Sequence, residues 1–153
     1  MKKIIYAALL LISVLSFSQE KKFQPIYYID YQYAGKNQLK VGNEFMLYNN
    51  QGKYIPNLIL LGIGGGISYS NEIIYFIPDL YFRYNHNNGY FKLGTTNQNL
   101  YSFVGLSIFN YFDMGLGYSK NYNNTNLKLN GLSLELALKL TKRKDIADLS
   151  FIW

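Results

Sequence analysis

The chain has 153 residues, with 15 Lys and Arg against 9 Asp and Glu, 16 Tyr, 10 Phe, one His and no Cys. The missing cysteines exclude a disulfide framework and any thiolate-bound zinc, haem or iron–sulfur centre, and one histidine excludes a multi-histidine metal site. The length suits one domain, the aromatic content argues against disorder, and the 16% of charged residues is low against roughly 25% in a typical soluble domain.

Residues 1–18 have the three parts of a secretory signal peptide. Lys2 and Lys3 form the positive start, 4–15 is an apolar run broken only by Ser13, and Ser16 and Ser18 are the small residues before a cleavage site at Gln19. The run is shorter than the roughly 20 residues of a membrane-spanning helix. The expected organisation is a signal peptide, 1–18, followed by a single domain, 19–153.

From residue 26 onward the apolar period is two. Residues 26–34, 39–48, 57–69, 73–85, 89–95, 100–109, 111–120, 127–140 and 146–153 each read as a strand, bounded by Asn- and Gly-rich turns. The clearest is 131–140, where Leu132, Leu134, Leu136, Leu138 and Leu140 alternate with Gly131, Ser133, Glu135, Ala137 and Lys139. Leu127 and Leu129 fall out of phase with those leucines, and a bulge near Asn130 and Gly131 is expected to restore the register. The short connections predict antiparallel hairpins throughout.

One face of nearly every strand is apolar, and the other carries Gly, Ser and charges. The polar set includes Asp30, Glu44, Asp79, Asp113, Glu135 and Asp148 with Lys40, Arg83, Lys92 and Lys139. Two arrangements satisfy this pattern. A soluble sandwich or barrel turns the apolar face inward. A transmembrane barrel turns it toward lipid and packs the polar face into a narrow lumen. The glycines on the polar face, among them Gly62, Gly64, Gly66, Gly94, Gly105, Gly115 and Gly117, suit a crowded lumen better than a solvated exterior. The tyrosines near strand ends suit interfacial girdles. The expected fold is an all-β, closed, antiparallel up-and-down transmembrane barrel of about eight strands, with ten as the alternative. Asp30, Glu44, Asp79, Arg83, Lys92, Asp113, Glu135 and Lys139 are the expected interior ion-pair residues. Tyr28, Tyr75, Tyr81, Tyr101, Phe103 and Phe109 are expected to add bulk inside, leaving no wide pore.

The chain ends in Trp153, with Phe151 and Leu149 in register before it. Signal peptide, alternating strands and aromatic terminus together resemble small outer-membrane β-barrel proteins of Gram-negative bacteria. The signal peptide ending in Ser-Phe-Ser-Gln and the Asn-, Tyr- and Lys-rich composition are similar to those of Bacteroidota proteins. The resemblance implies that Leu149, Phe151 and Trp153 form a C-terminal assembly signal read by the barrel-assembly machinery. Asp148 stands where such termini often carry glycine. It also implies residence in outer-membrane lipid and a structural, envelope-integrity or adhesion role, with an envelope protein as a further partner.

Two other functions fit the sequence. One is a soluble periplasmic or secreted barrel that holds an apolar ligand. The other is a lipid-modifying outer-membrane enzyme using His86, the only histidine, in the loop 85–89 close to Arg83 and Asp79. A solvated loop residue is the simpler account of His86, so no catalytic activity is expected. Gly64-Gly65-Gly66 lacks the Lys-Ser/Thr of a phosphate loop. The basic stretch 142–144 reads as a turn, so no nucleic-acid partner is expected, and no cofactor or metal is implied.

Overall fold

The computed structural model describes residues 25–50, 57–108, 111–122 and 127–141. They form eight strands: β1 (Ile26–Tyr33), β2 (Asn37–Asn50), β3 (Asn57–Ser70), β4 (Ile73–His86), β5 (Gly89–Thr96), β6 (Asn99–Ile108), β7 (Phe112–Asn121) and β8 (Gly131–Leu140). Each pairs antiparallel with the next, and β8 pairs with β1, so the sheet closes on itself. The fold is an all-β, eight-stranded, closed antiparallel barrel. Carried round the wall from Ile29 through Val41, Gly65 and Pro78 and on in the same registers, the eight pairings accumulate a stagger of ten residues along the β1 direction. A stagger of that kind requires strands tilted by about 35–45° to the barrel axis.

Local chemistry sets the corners. The β3–β4 hairpin turns on Asn71 and Glu72, both left-handed, at φ 52° and 65°. This is the arrangement that a two-residue turn needs to match the strand twist. Gly35 closes the β1–β2 turn at φ 76°. Between Met46 and Tyr48 the β2–β3 register shifts by one residue, leaving Leu47 and Tyr48 both outside. Pro78 lies one residue beyond the last β4 residue paired with β5, where a missing N–H is tolerated.

Eight of the nine predicted segments correspond to strands, with ends moved by one or two residues in most. The exception is 127–140, where the strand begins only at Gly131. Leu127 and Leu129 are fully buried, and Gly131 at φ 103° redirects the chain. The phase change at Asn130 is thus the end of an inward-folded loop, not a bulge within one strand. Ring closure is completed by β8. The ninth segment, 146–153, with Leu149, Phe151 and Trp153, lies outside the described residues, as do Asp148, Phe109 and the 1–18 segment.

The lumen has three levels. Ile26 and Leu60, with Met46 against them, pack at the end where β1 begins and β8 ends. Tyr28, Tyr81, Tyr90, Tyr101 and Phe103 cluster in the middle. Ala34, Ile77, Leu127 and Leu129, with Tyr75 beside them, pack at the opposite end.

Candidate functional site

The alternation places every charged residue of the strand interiors in the lumen. Asp30, Lys40, Glu44, Asp79, Arg83, Lys92, Asp113, Glu135 and Lys139 are all buried, none more than 4% exposed. Charges at that depth need partners, because an unpaired ion in low dielectric is costly. Here every one of the nine has an ionic partner.

Three linked groups make up the network. In one, Lys40 Nζ is 2.9 Å from Asp79, whose same oxygen accepts a 2.7 Å hydrogen bond from the Tyr101 hydroxyl. In the second, Lys92 bridges Asp30, at 2.8 Å, and Glu135. Gln32 donates to Asp30 at 2.7 Å, and Tyr90 donates to Glu135 at 2.6 Å. In the third, Arg83 binds Asp113 through both terminal nitrogens, the planar fork meeting the two carboxylate oxygens end on. Lys139 lies 2.7 Å from Glu44 and 3.2 Å from Asp113, and Tyr81 donates to Glu44 at 2.8 Å.

The aromatic rings tie these groups together. Lys40 sits 4.3 Å from the centre of the Tyr101 ring, Arg83 4.0 Å from that of Tyr90, and Lys92 4.0 Å from that of Tyr81. Each is within range of a cation–π attraction. The rings in turn lie over glycines. Tyr28 faces Gly42, Tyr81 faces Gly62, Tyr90 faces Gly105, Tyr101 faces Gly94, and Phe103 faces Gly117, each pair directly opposite across adjacent strands. A Cβ at any of these glycines would clash with that ring or with the facing backbone. The small residue on one strand is the seat for the ring on the next.

Outside, the chemistry is reversed. Val41, Ile63, Ile67, Phe82, Leu93, Val104, Leu116, Leu134 and Leu136 are exposed, and Leu132 is 85% exposed. Exposed tyrosines sit toward both ends of the wall: Tyr27, Tyr48 and Tyr84 at the end where β1 begins and β8 ends, and Tyr33, Tyr69, Tyr118 and Tyr122 at the other. Among the described residues, the only charged side chains outside the lumen are Lys36, Glu72, Lys120 and Lys128. All four are in or beside the turns at the end where β1 ends and β8 begins. Large contiguous apolar surfaces of this kind mark interaction sites, with another protein, a ligand or a membrane.

All eight expected ion-pair residues converge in this network, joined by Lys40, which the alternation also placed on the polar face. Sequence reasoning missed the hydrogen-bonding role of Tyr81, Tyr90 and Tyr101 and the part played by Gln32. The signal was present as inward-phase tyrosines, but which acid each reaches depends on register and tilt. His86 is not beside Arg83 or Asp79: it is exposed on the outer face, with Nδ1 2.8 Å from Asn57 Oδ1 and its ring stacked near Tyr84. Among the described residues no group of three or more His, Asp or Glu is placed to hold a metal ion.

The chain matches no family model, and it matches neither a curated protein nor a solved structure.

Proposed function

We propose that the chain is a small outer-membrane β-barrel, exported by its 1–18 signal peptide, with a structural, envelope-integrity or adhesion role and no wide pore. The observation that carries this reading is the inversion of the wall: nine paired charges inside and a continuous apolar surface outside. Closure supports it too, since a closed sheet leaves no lateral edge of unpaired backbone within the ring, as a hydrocarbon environment demands. A ten-residue strand rising about 3.3 Å per residue and tilted about 40° spans about 25 Å, the height of the apolar band of such barrels. The packed lumen favours a structural or interaction role over conduction, because the rings and ion pairs fill the bore.

A soluble barrel with an apolar ligand inside needs an apolar lumen. The charges lining this one weigh against that alternative. In the membrane reading the barrel-assembly machinery inserts the chain, and outer-membrane lipid is its first partner.

The test is heat-modifiability. The mature chain is refolded in detergent and run on a gel with and without boiling, beside a detergent-free control. A band that shifts only on boiling, with no folded species in the control, is the expected result. A folded, monodisperse protein without detergent would overturn the proposal.

A further inference from the structure

We propose that Lys36, Lys120 and Lys128 form a docking surface for the phosphate of an anionic lipid headgroup. It rests on the membrane reading above and adds where, and by which residues, the protein selects its lipid.

The three lysines belong to segments in mutual contact. Gly35, in the same turn as Lys36, packs against the backbone of the 128–130 segment: a Cβ there would lie 3.5 Å from the Lys128 carbonyl oxygen and 3.3 Å from that of Asn130. Asn121, next to Lys120, fastens that segment from the other side. Its backbone N–H donates to Asn130 Oδ1 at 2.6 Å, its Nδ2 donates to the Leu127 carbonyl at 2.7 Å, and its Oδ1 accepts from the Leu129 N–H at 2.9 Å. Lys128 is therefore held between the turn that carries Lys36 and the end of the strand that carries Lys120.

Lys120 and Lys128 are exposed and Lys36 is half-buried. None of the three has an ion-pair partner among the described residues, whereas every lysine in the lumen has one. The fourth charge at this end, Glu72, is on the separate β3–β4 turn. The outcome is a local excess of three positive charges along β7, β8 and β1. Immediately toward the barrel's middle on the same three strands lie exposed Tyr118, Leu132 and Tyr33.

This order of chemistry, cations at the rim and apolar side chains just inside it, matches one molecule of lipid: phosphate against the lysines, acyl chains along the wall. A soluble anion would use the lysines but not the apolar surface. Near a membrane each lysine contributes about fivefold in affinity for anionic lipid, so three together contribute on the order of a hundredfold.

The test uses the full mature chain folded in neutral detergent micelles, titrated with phosphatidylglycerol or phosphatidylcholine, with bound lipid counted by native mass spectrometry. Wild type is expected to retain phosphatidylglycerol at a far lower concentration than phosphatidylcholine. Lys36→Gln, Lys120→Gln and Lys128→Gln are each expected to weaken that preference about fivefold, and the triple variant to abolish it. Glu72→Gln should not weaken it. Heat-modifiability of each variant reports folding separately. Equal retention of the two lipids by wild type, or an unchanged preference in the folded triple variant, overturns the docking surface while leaving the membrane reading standing. Displacement of the lipid by millimolar inorganic phosphate would show a simple anion site and overturn the lipid assignment. Failure of the membrane reading has a different sign: a folded protein that needs no detergent.

Discussion

The ring of Tyr81 lies across Gly62, its direct cross-strand partner, and its hydroxyl donates to Glu44 at 2.8 Å. One side chain thus fills the bore beside a glycine and donates a hydrogen bond to a buried acid that also pairs with Lys139. The same combination recurs where Tyr101 faces Gly94 and reaches Asp79, and where Tyr90 faces Gly105 and reaches Glu135. Packing and electrostatics inside the barrel are therefore the same set of contacts.

Separating the two parts of this contact gives the first prediction. Tyr81→Phe keeps the ring over Gly62 but removes the donor to Glu44. It should lower stability by about 1–3 kcal/mol, the usual consequence of orphaning a buried acceptor. Gly62→Val puts a branched side chain where the ring sits, so the buried Tyr81 ring must leave its seat and its hydrogen bond to Glu44. That variant should show no heat-modifiable band. Urea unfolding in micelles measures the first, and a semi-native gel the second. A Gly62→Val protein as stable as wild type would refute the seat-and-ring account.

The Arg83–Asp113 pair gives the second. Arg83→Met leaves Asp113 and Glu44 sharing Lys139 alone, an excess buried negative charge. Breaking a buried pair from one side typically costs 3–5 kcal/mol, whereas replacing both partners by apolar residues is often nearly neutral. Adding Asp113→Leu leaves Lys139 with Glu44 and should recover most of the loss. A double variant less stable than Arg83→Met would mean that Asp113 matters chiefly through Ser107 and Lys139.

The barrel was legible because a two-residue period was never interrupted for long. Ile74 to Tyr84 and Ile59 to Tyr69 face outward and inward as their parity dictates. The same parity gave the membership of the charged network, since a residue's face follows from phase alone. Partners did not follow, because pairing across the bore depends on tilt and on the stagger accumulated round the ring. Gln32 meets Glu135, 103 residues away, because β1 closes on β8. Leu127 and Leu129 were misread for another reason. Two leucines spaced by two look like strand in any window, and only the left-handed Gly131 separates them from the strand that follows.

The proposed lipid-facing wall supplies a third prediction, through depth. Leu136 is exposed near mid-height, paired with Tyr31 on one side and Met114 on the other, while Leu132 is near the end of β8. A lysine at mid-height on a lipid face costs about 2–4 kcal/mol, and one near the interface about 0–1. Leu136→Lys should therefore reduce folding into vesicles severely and Leu132→Lys only slightly. Equal, small effects of both would place this face in water instead.

The β3–β4 turn offers a stabilising change. Glu72 is held at φ 65°, a conformation that costs a residue with a side chain roughly 1–2 kcal/mol and glycine almost nothing. Its side chain is exposed, so little is lost by removing it. Glu72→Gly creates the Asn-Gly pair that such turns prefer. Part of the gain is offset by the greater freedom of glycine in the unfolded chain. A net increase of about 0.5–1 kcal/mol is expected in urea unfolding, with the heat-modified shift unchanged. The converse change at the neighbouring position, Asn71→Val, forces a β-branched residue into the same left-handed region and should destabilise by more than Glu72→Gly stabilises. If neither substitution moves the midpoint, the hairpin tip frays independently of the ring, and the cooperative unit ends below it.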